Sequence, residues 1–251
     1  MITRHFRGYV APSRHRKSRH GFTLVEALIG LFVLVLITGA IFAQLNQVQK
    51  ASSSEASKLD LTQQAREFAD QIVRDIHMAG YPGPSMYAPG LAISSPLVAA
   101  GLARVSPTEI LMEGDVETSG TVYSVDIQYV AQDPNDANCP CIRRSEVAKA
   151  SADPLAQPHT TDTNYTEVDN VMPPGTGAGE SGEDLFTFFD KNGNQVPVVG
   201  GVDISTPAGQ TTINSIRTVK INLNMLSPTI DPATRLPQRI ALAVTGHLNE
   251  Y

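Results

Sequence analysis

The sequence predicts an α+β protein, with one long N-terminal helix followed by an antiparallel β-sheet domain. Three observations predict it. No proline interrupts the chain from Phe22 to Ala79, and the apolar pattern there suits a helix. Beyond Gly80-Tyr81-Pro82-Gly83-Pro84 the pattern changes to alternation with a period of two. One helix and then a run of strands separates the two kinds of structure along the chain, as α+β proteins do.

The first segment, Met1–Gly21, is a basic leader. It carries Arg4, Arg7, Arg14, Arg16, Lys17 and Arg19 and no acidic residue. By the positive-inside rule it stays cytoplasmic, which sends the C-terminal part out of the cytoplasm. Phe22–Ala43 follows, 22 residues with a single charge, Glu26. At 1.5 Å per residue this stretch is about 33 Å long, enough to cross the hydrocarbon core of a bilayer. An ordinary secretory signal is cut on the far side of its apolar run, after small residues. Thr38-Gly39-Ala40 could serve as such a site, but its use would discard the run and leave Glu26 without purpose. A carboxylate in hydrocarbon costs on the order of 3 kcal/mol even on lenient scales, so it calls for a partner or for snorkelling to the headgroups. A newly exposed ammonium on a neighbouring copy of Phe22 would be such a partner.

Gly21-Phe22-Thr23-Leu24-Val25-Glu26, between a basic leader and an apolar run, resembles the cleavage and methylation signature of type IV prepilins and type II secretion pseudopilins. The resemblance implies a pilin-like fold and cleavage by a prepilin peptidase between Gly21 and Phe22. It implies N-methylation of Phe22 and a role for Glu26 in assembly. The implied partners are inner-membrane lipid before assembly and other pilins or pseudopilins afterwards, through the N-terminal helix. The implied location is a single-pass inner-membrane protein that passes into a pilus or pseudopilus.

Residues 44–80 form the amphipathic half of the helix. Leu61, Ala65, Phe68, Ile72, Ile76 and Ala79 recur at steps of three and four, which draws one apolar face. A helix over Phe22–Ala79 would be about 87 Å long. Ser52-Ser53-Ser54 between the halves is a place where it could loosen. The glycines and prolines from Gly80 stop it. Arg74-Asp75-Ile76-His77-Met78-Ala79-Gly80-Tyr81 resembles the end of the same helix in PilW-type minor pilins. His77, near a helix end, is expected to meet the terminal carbonyls.

Residues 81–251 make the β-rich domain. Ala88–Arg104 reads as an irregular connector, and Glu109–Glu113 as a short strand. Thr121–Ala131 alternates, and Cys141–Val147 returns as its antiparallel partner. Residues 148–182 are rich in Ala, Thr, Asp, Pro and Gly and are expected to be a long mobile loop. Asp162-Thr163-Asn164-Tyr165-Thr166 within it resembles an acid-extended N-glycosylation sequon, a short pattern that also arises by chance. Leu185–Phe189 and Gln195–Val199 flank Asp190-Lys191-Asn192-Gly193-Asn194, a hairpin signal. Its glycine falls at the wrong position for a helix-loop-helix calcium loop, and no glutamate stands at the twelfth. Phe188-Phe189-Asp190 before Asn192-Gly193 again resembles PilW-type chains. Val219–Met225 and Ile240–Val244 are strands, with Ser227–Gln238 an excursion between them.

The net charge of −6 conceals a split. Six of the 19 basic residues precede Gly21, which leaves 13 against 25 acidic ones, a net −12. An acidic domain without Lys/Arg runs argues against a general nucleic-acid surface. Cys139 and Cys141 flank Pro140. A local disulfide, free thiols and a bond to another subunit all stay open. No further Cys or His lies near enough in sequence to complete a metal site. His77, His159 and His247 are widely spread, and no phosphate loop, nucleophile elbow or His-Glu zinc pair occurs. The sequence therefore points to no catalytic site, cofactor or metal, and to assembly as the function. Its resemblances imply a PilW-like minor pilin that primes or joins a type IV pilus for adhesion, twitching or DNA uptake. A J-type pseudopilin of a type II secretion system shares the signal and fold. An anchored binding protein that never polymerises is the reading from another class.

Overall fold

The computed structural model describes residues 21–134, 136, 139–160, 163–175, 183–231 and 234–249. The leader before Gly21 lies outside the described residues. The chain divides into two compact units, Met1–Val48 and Gln49–Tyr251. Helix α1, Leu24–Met78, runs without a break through Ser52-Ser53-Ser54.

In the second unit two antiparallel sheets enclose the core with α1. The first holds six strands in the order β5-β4-β3-β2-β1-β8: β1 Gly101–Val105, β2 Glu109–Gly114, β3 Tyr123–Val130, β4 Cys141–Ala148, β5 Asn164–Val168 and β8 Val202–Asp203. The second is ordered β10-β9-β6-β7: β6 Phe186–Asp190, β7 Gln195–Val196, β9 Ile216–Ile230 and β10 Pro237–His247. A short helix α2, Pro207–Ser215, precedes β9.

The helix face read from the sequence is the buried one. Leu61, Ala65, Phe68, Ile72, Ile76 and Ala79 join one core with Ile110, Met112, Val125, Ile127 and Ile142 of the first sheet. Phe186, Phe188, Val219, Ile221 and Leu223 of the second sheet complete it. Each large side chain contributes about 1.5–3 kcal/mol by leaving water. Gly80, at φ +85°, ends the helix in the left-handed region. Gly114 lets β2 approach the last turn, because a Cβ there would strike the Met78 carbonyl. The Gly80 amide then donates to the Glu113 carbonyl at 2.9 Å.

Several expectations need correction. The connector Ala88–Arg104 gives way at Gly101 to β1. Residues 148–182 are not one long loop: they contain the end of β4 and all of β5, and Val171 bridges to Met225. Strand pairing and hydrogen bonds, with Val168 and Val171 buried in the core, hold that region in place, so few apolar residues suffice and its low apolar content misled. The excursion Ser227–Gln238 shrinks to a tip, since β9 continues to Ile230 and β10 begins at Pro237. Pro228 is accommodated where the β9–β10 ladder shifts register, between Leu226 and Ile230. Helix α2 has a signal that the alternation of its neighbours hid: Thr206 caps it, accepting from the Gly209 amide at 3.0 Å, with Pro207 next.

Candidate functional site

The residues that carry the processing signal stand at the head of α1. Gly21, Phe22 and Thr23 precede the first helical residue, and Phe22 is 86% exposed. Space around Gly21 is open. Thr23 and Glu26 form a reciprocal cap. The Glu26 amide donates to Thr23 Oγ1 at 3.2 Å, and the Thr23 amide donates to Glu26 Oε2 at 3.0 Å. The Thr23 hydroxyl also donates to Oε2 at 3.0 Å. This is a capping box, legible in the sequence as Thr-x-x-Glu, and it holds the carboxylate at the start of the helix among otherwise unpaired N–H groups. It gives Glu26 a local function beside the intermolecular one that the signature implies.

Around that carboxylate the helix is apolar on all sides, and no described residue covers it. Leu24, Val25, Leu28, Ile29, Leu31, Phe32, Leu34, Val35, Leu36, Ile37, Ile41 and Phe42 are all exposed. The segment is long and apolar enough to cross a membrane. Exposure on this scale in water would be an association hazard, so the segment needs lipid or other helices.

In the second unit several buried polar groups are paired within the chain. Glu113, fully buried on β2, meets Lys149 Nζ at 2.7 Å. Lys149 also donates to the carbonyls of Ile93 at 2.6 Å and Val98 at 2.9 Å. Glu113 further accepts from the Ala100 amide and from Gln157 Nε2, both at 3.0 Å. Gln157 in turn receives the amides of Ala150 and Ser151 at 3.0 Å. Burial pushes the Glu113 carboxyl up, against the pull of Lys149. His159 sits between Ser124 Oγ at 3.0 Å and Ser145 Oγ at 2.8 Å, and burial pushes its imidazole down. Asp75 of α1 binds Arg144 of β4 at 2.9 Å, and Arg144 reaches Glu146 at 2.5 Å. Burial pushes Asp75 up despite Arg144. Asp75 and Arg144, Glu113 and Lys149, Glu113 and Gln157, and Ser124 and His159 lie far apart in sequence, so nothing local could have revealed those pairs.

Cys139 and Cys141 are joined by a disulfide that spans Pro140. Asp136 lies close to both sulfurs, but it accepts from Thr166 Oγ1 at 3.0 Å and faces Arg143 at 3.7 Å. With its sulfurs bonded to each other, the group offers a metal one carboxylate and no thiolate. The carbonyl of His77 accepts from Asn249 at 2.9 Å, and His247 Nδ1 lies 3.1 Å from Thr218 Oγ1. Asp190 receives the amides of Asn192 and Asn194 at 2.8 Å, so its carboxylate is used to build the hairpin turn. Asn164 lies in β5 with its Oδ1 buried, and Asp162 of the sequon falls outside the described residues.

Residues 16–42 match the family described as the prokaryotic N-terminal methylation motif. No curated protein and no solved structure matches the chain. The head of this chain is therefore similar to that of type IV pilins and pseudopilins, and it carries their prepilin-type motif on a long apolar helix.

Proposed function

We propose that this chain is a minor, PilW-like pilin, cut after Gly21, methylated on Phe22, and drawn into a type IV pilus by its N-terminal helix. The observation that carries the reading is the apolar segment Leu24–Phe42, uncovered in the single chain and holding one carboxylate at its head. When such a helix leaves lipid for a bundle of like helices, an unpaired carboxylate is heavily penalised. The ammonium of a neighbouring Phe22 neutralises it, which favours docking and sets the axial register. The β-rich unit faces outward and contributes recognition, not catalysis. Residues 1–21 act as the leader, 22–43 as the membrane and assembly half, 44–80 as the amphipathic half, and 81–251 as the displayed domain.

Mass spectrometry of the mature protein tests the processing step. The expected N-terminus is N-methylated Phe22, and Gly21→Lys blocks maturation. A mature protein that starts at Ile41 sinks the reading. Probing the sheared filament fraction separates a filament subunit from an anchored protein that never polymerises. A J-type pseudopilin obeys the same chemistry. Deleting the type II secretion machine abolishes recovery of a pseudopilin from that fraction and leaves a pilus subunit unaffected.

A further inference from the structure

Glu113 stands between two nitrogens of different kinds. Its Oε2 lies 2.7 Å from Lys149 Nζ, and its Oε1 accepts from Gln157 Nε2 at 3.0 Å. All three residues are at least nine-tenths buried. One carboxylate thus touches a primary amine and a carboxamide, and it can carry protons from the first to the second.

The carboxamide is held as an acyl group ready for attack. Gln157 Oε1 accepts the amides of both Ala150 and Ser151, each at 3.0 Å. Two main-chain N–H groups on one carbonyl oxygen draw charge onto it and stabilise an oxyanion there. Nε2 has two hydrogens and three acceptors around it: Glu113 Oε1 at 3.0 Å, the Ser151 carbonyl at 2.9 Å and the Asp153 carbonyl at 3.2 Å. The third acceptor suits a nitrogen with three hydrogens, which is what departing ammonia is. On the other side, the carbonyls of Ile93 and Val98 suffice for the two hydrogens of a neutral Lys149 amine. Burial disfavours both charges of the Lys149–Glu113 pair, and it pushes the Glu113 carboxyl up. A proton that passes from Nζ to Glu113 removes both charges and leaves an amine nucleophile.

We propose that Lys149 and Gln157 join in an isopeptide bond, made by the folded chain itself with Glu113 as the proton carrier and with release of ammonia. Glu113 takes a proton from the Lys149 ammonium. The freed lone pair on Nζ attacks Gln157 Cδ, and the carbonyl π electrons move onto Oε1, towards the Ala150 and Ser151 amides. Glu113 hands its proton to Nε2 and takes a second one from Nζ. The Cδ–Nε2 bond breaks, its electrons stay on the nitrogen, and ammonia leaves. The products are an Nζ–Cδ amide, ammonia and protonated Glu113, so nothing is oxidised or reduced and no outside reactant is consumed. Ala156 and Pro158, on either side of Gln157, are exposed, which gives ammonia a short way out. The bond closes residues 149–157 into a ring against β2, and it forms whichever assembly the chain enters.

Mass spectrometry of the full chain tests this. The protein is purified in detergent, its disulfide is reduced, and it is denatured and digested with trypsin. An unbonded chain is cut after Lys149 and gives Ser145–Lys149 and Ala150–Lys191. A bonded chain escapes that cut and gives Ser145–Lys191, lighter than its sequence by one ammonia. A further cut before each aspartate leaves Ser145–Ala152 joined to Asp153–Thr161. The joined fragment is expected to outweigh the separate ones by at least about tenfold. Lys149→Arg abolishes it. Glu113→Gln keeps the shape but carries no proton, and it slows joining by about a hundredfold or more, read as the joined fraction against time after synthesis. The wild-type digest decides by itself if either variant fails to fold. Three results overturn the proposal: separate fragments alone from the wild-type chain, a free Lys149 beside a Gln157 hydrolysed to glutamate, or joining in Glu113→Gln at the wild-type rate.

Discussion

Glu26 and Glu113 are both carboxylates set among apolar side chains, and the chain treats them in opposite ways. Glu113 is fully buried and answered within the fold by Lys149, Gln157 and the Ala100 amide. Glu26 stands on an uncovered apolar helix, held by Thr23 with no cation beside it among the described residues. The second unit answers Glu113 from within, whereas the first offers Glu26 only its own cap among the described residues; in the proposed reading its counterpart lies on another chain. A buried carboxylate with an internal partner reports on folding. One without such a partner, in a segment that must itself be covered, reports on assembly.

Glu113→Ala is expected to have the largest effect. It strands the Lys149 ammonium in the interior, and losing one member of a buried pair costs about 3–5 kcal/mol. Urea unfolding of the full chain should show the loss, and Glu113→Met with Lys149→Met should recover most of it. If the single variant lost less than the double, the pair would not be what holds residues 149–157 to β2.

Glu26→Ala should leave unfolding of the second unit unchanged and reduce entry into sheared filaments. Loss of about 1.4 kcal/mol of pairing corresponds to a tenfold reduction. Glu26→Gln sharpens the comparison, because glutamine keeps the capping hydrogen bond and drops the charge. If Glu26→Gln enters filaments at the wild-type level, the cap is what matters and the intermolecular pair is not.

Asp126 on β3 is a carboxylate that the second unit leaves incompletely answered. Its Oδ1 is buried without a hydrogen bond, and burial, with Glu109 nearby, pushes its carboxyl from 3.8 to about 7. The folded state thus binds the proton more tightly than the unfolded state. The destabilisation is absent below about pH 4, grows as pH rises towards 7, and is constant above that. Asp126→Asn should stabilise the protein by about 1–2 kcal/mol at pH 8 and by nothing at pH 3.5. Thermal unfolding against pH checks this, and a pH-independent gain would refute the assignment.

The smallest effect is expected from Thr23→Ala. Removing a capping hydroxyl costs about 1 kcal/mol of helix stability. Filament entry should fall by less than in Glu26→Ala, since the carboxylate and its charge remain. An equal defect in the two variants would place the function of Glu26 in the cap.

Local periodicity carries far when each residue's neighbours in space are its neighbours in sequence. That is why the buried face from Leu61 to Ala79, the pairing of β3 with β4 and the Asp190–Asn194 hairpin were legible in the letters. The head of the helix was legible for the same reason: motif, charge and apolar run are contiguous; the capping box, although it spans only four residues, was shown by the structure and had not been read from the letters. The sequence by itself thus determined the long helix, the α+β order and the processing signal. Only the tertiary structure decided that Lys149 and Gln157 close on Glu113, that His159 fits between Ser124 and Ser145, and that residues 148–160 and 163–175 are tied to the sheets. It also decided that β10 ends its sheet. These outcomes depend on which strands become neighbours, and strand order is set by how two sheets and a helix share one core. No window of the sequence contains that information, because the partners come together only after the chain has folded back on itself.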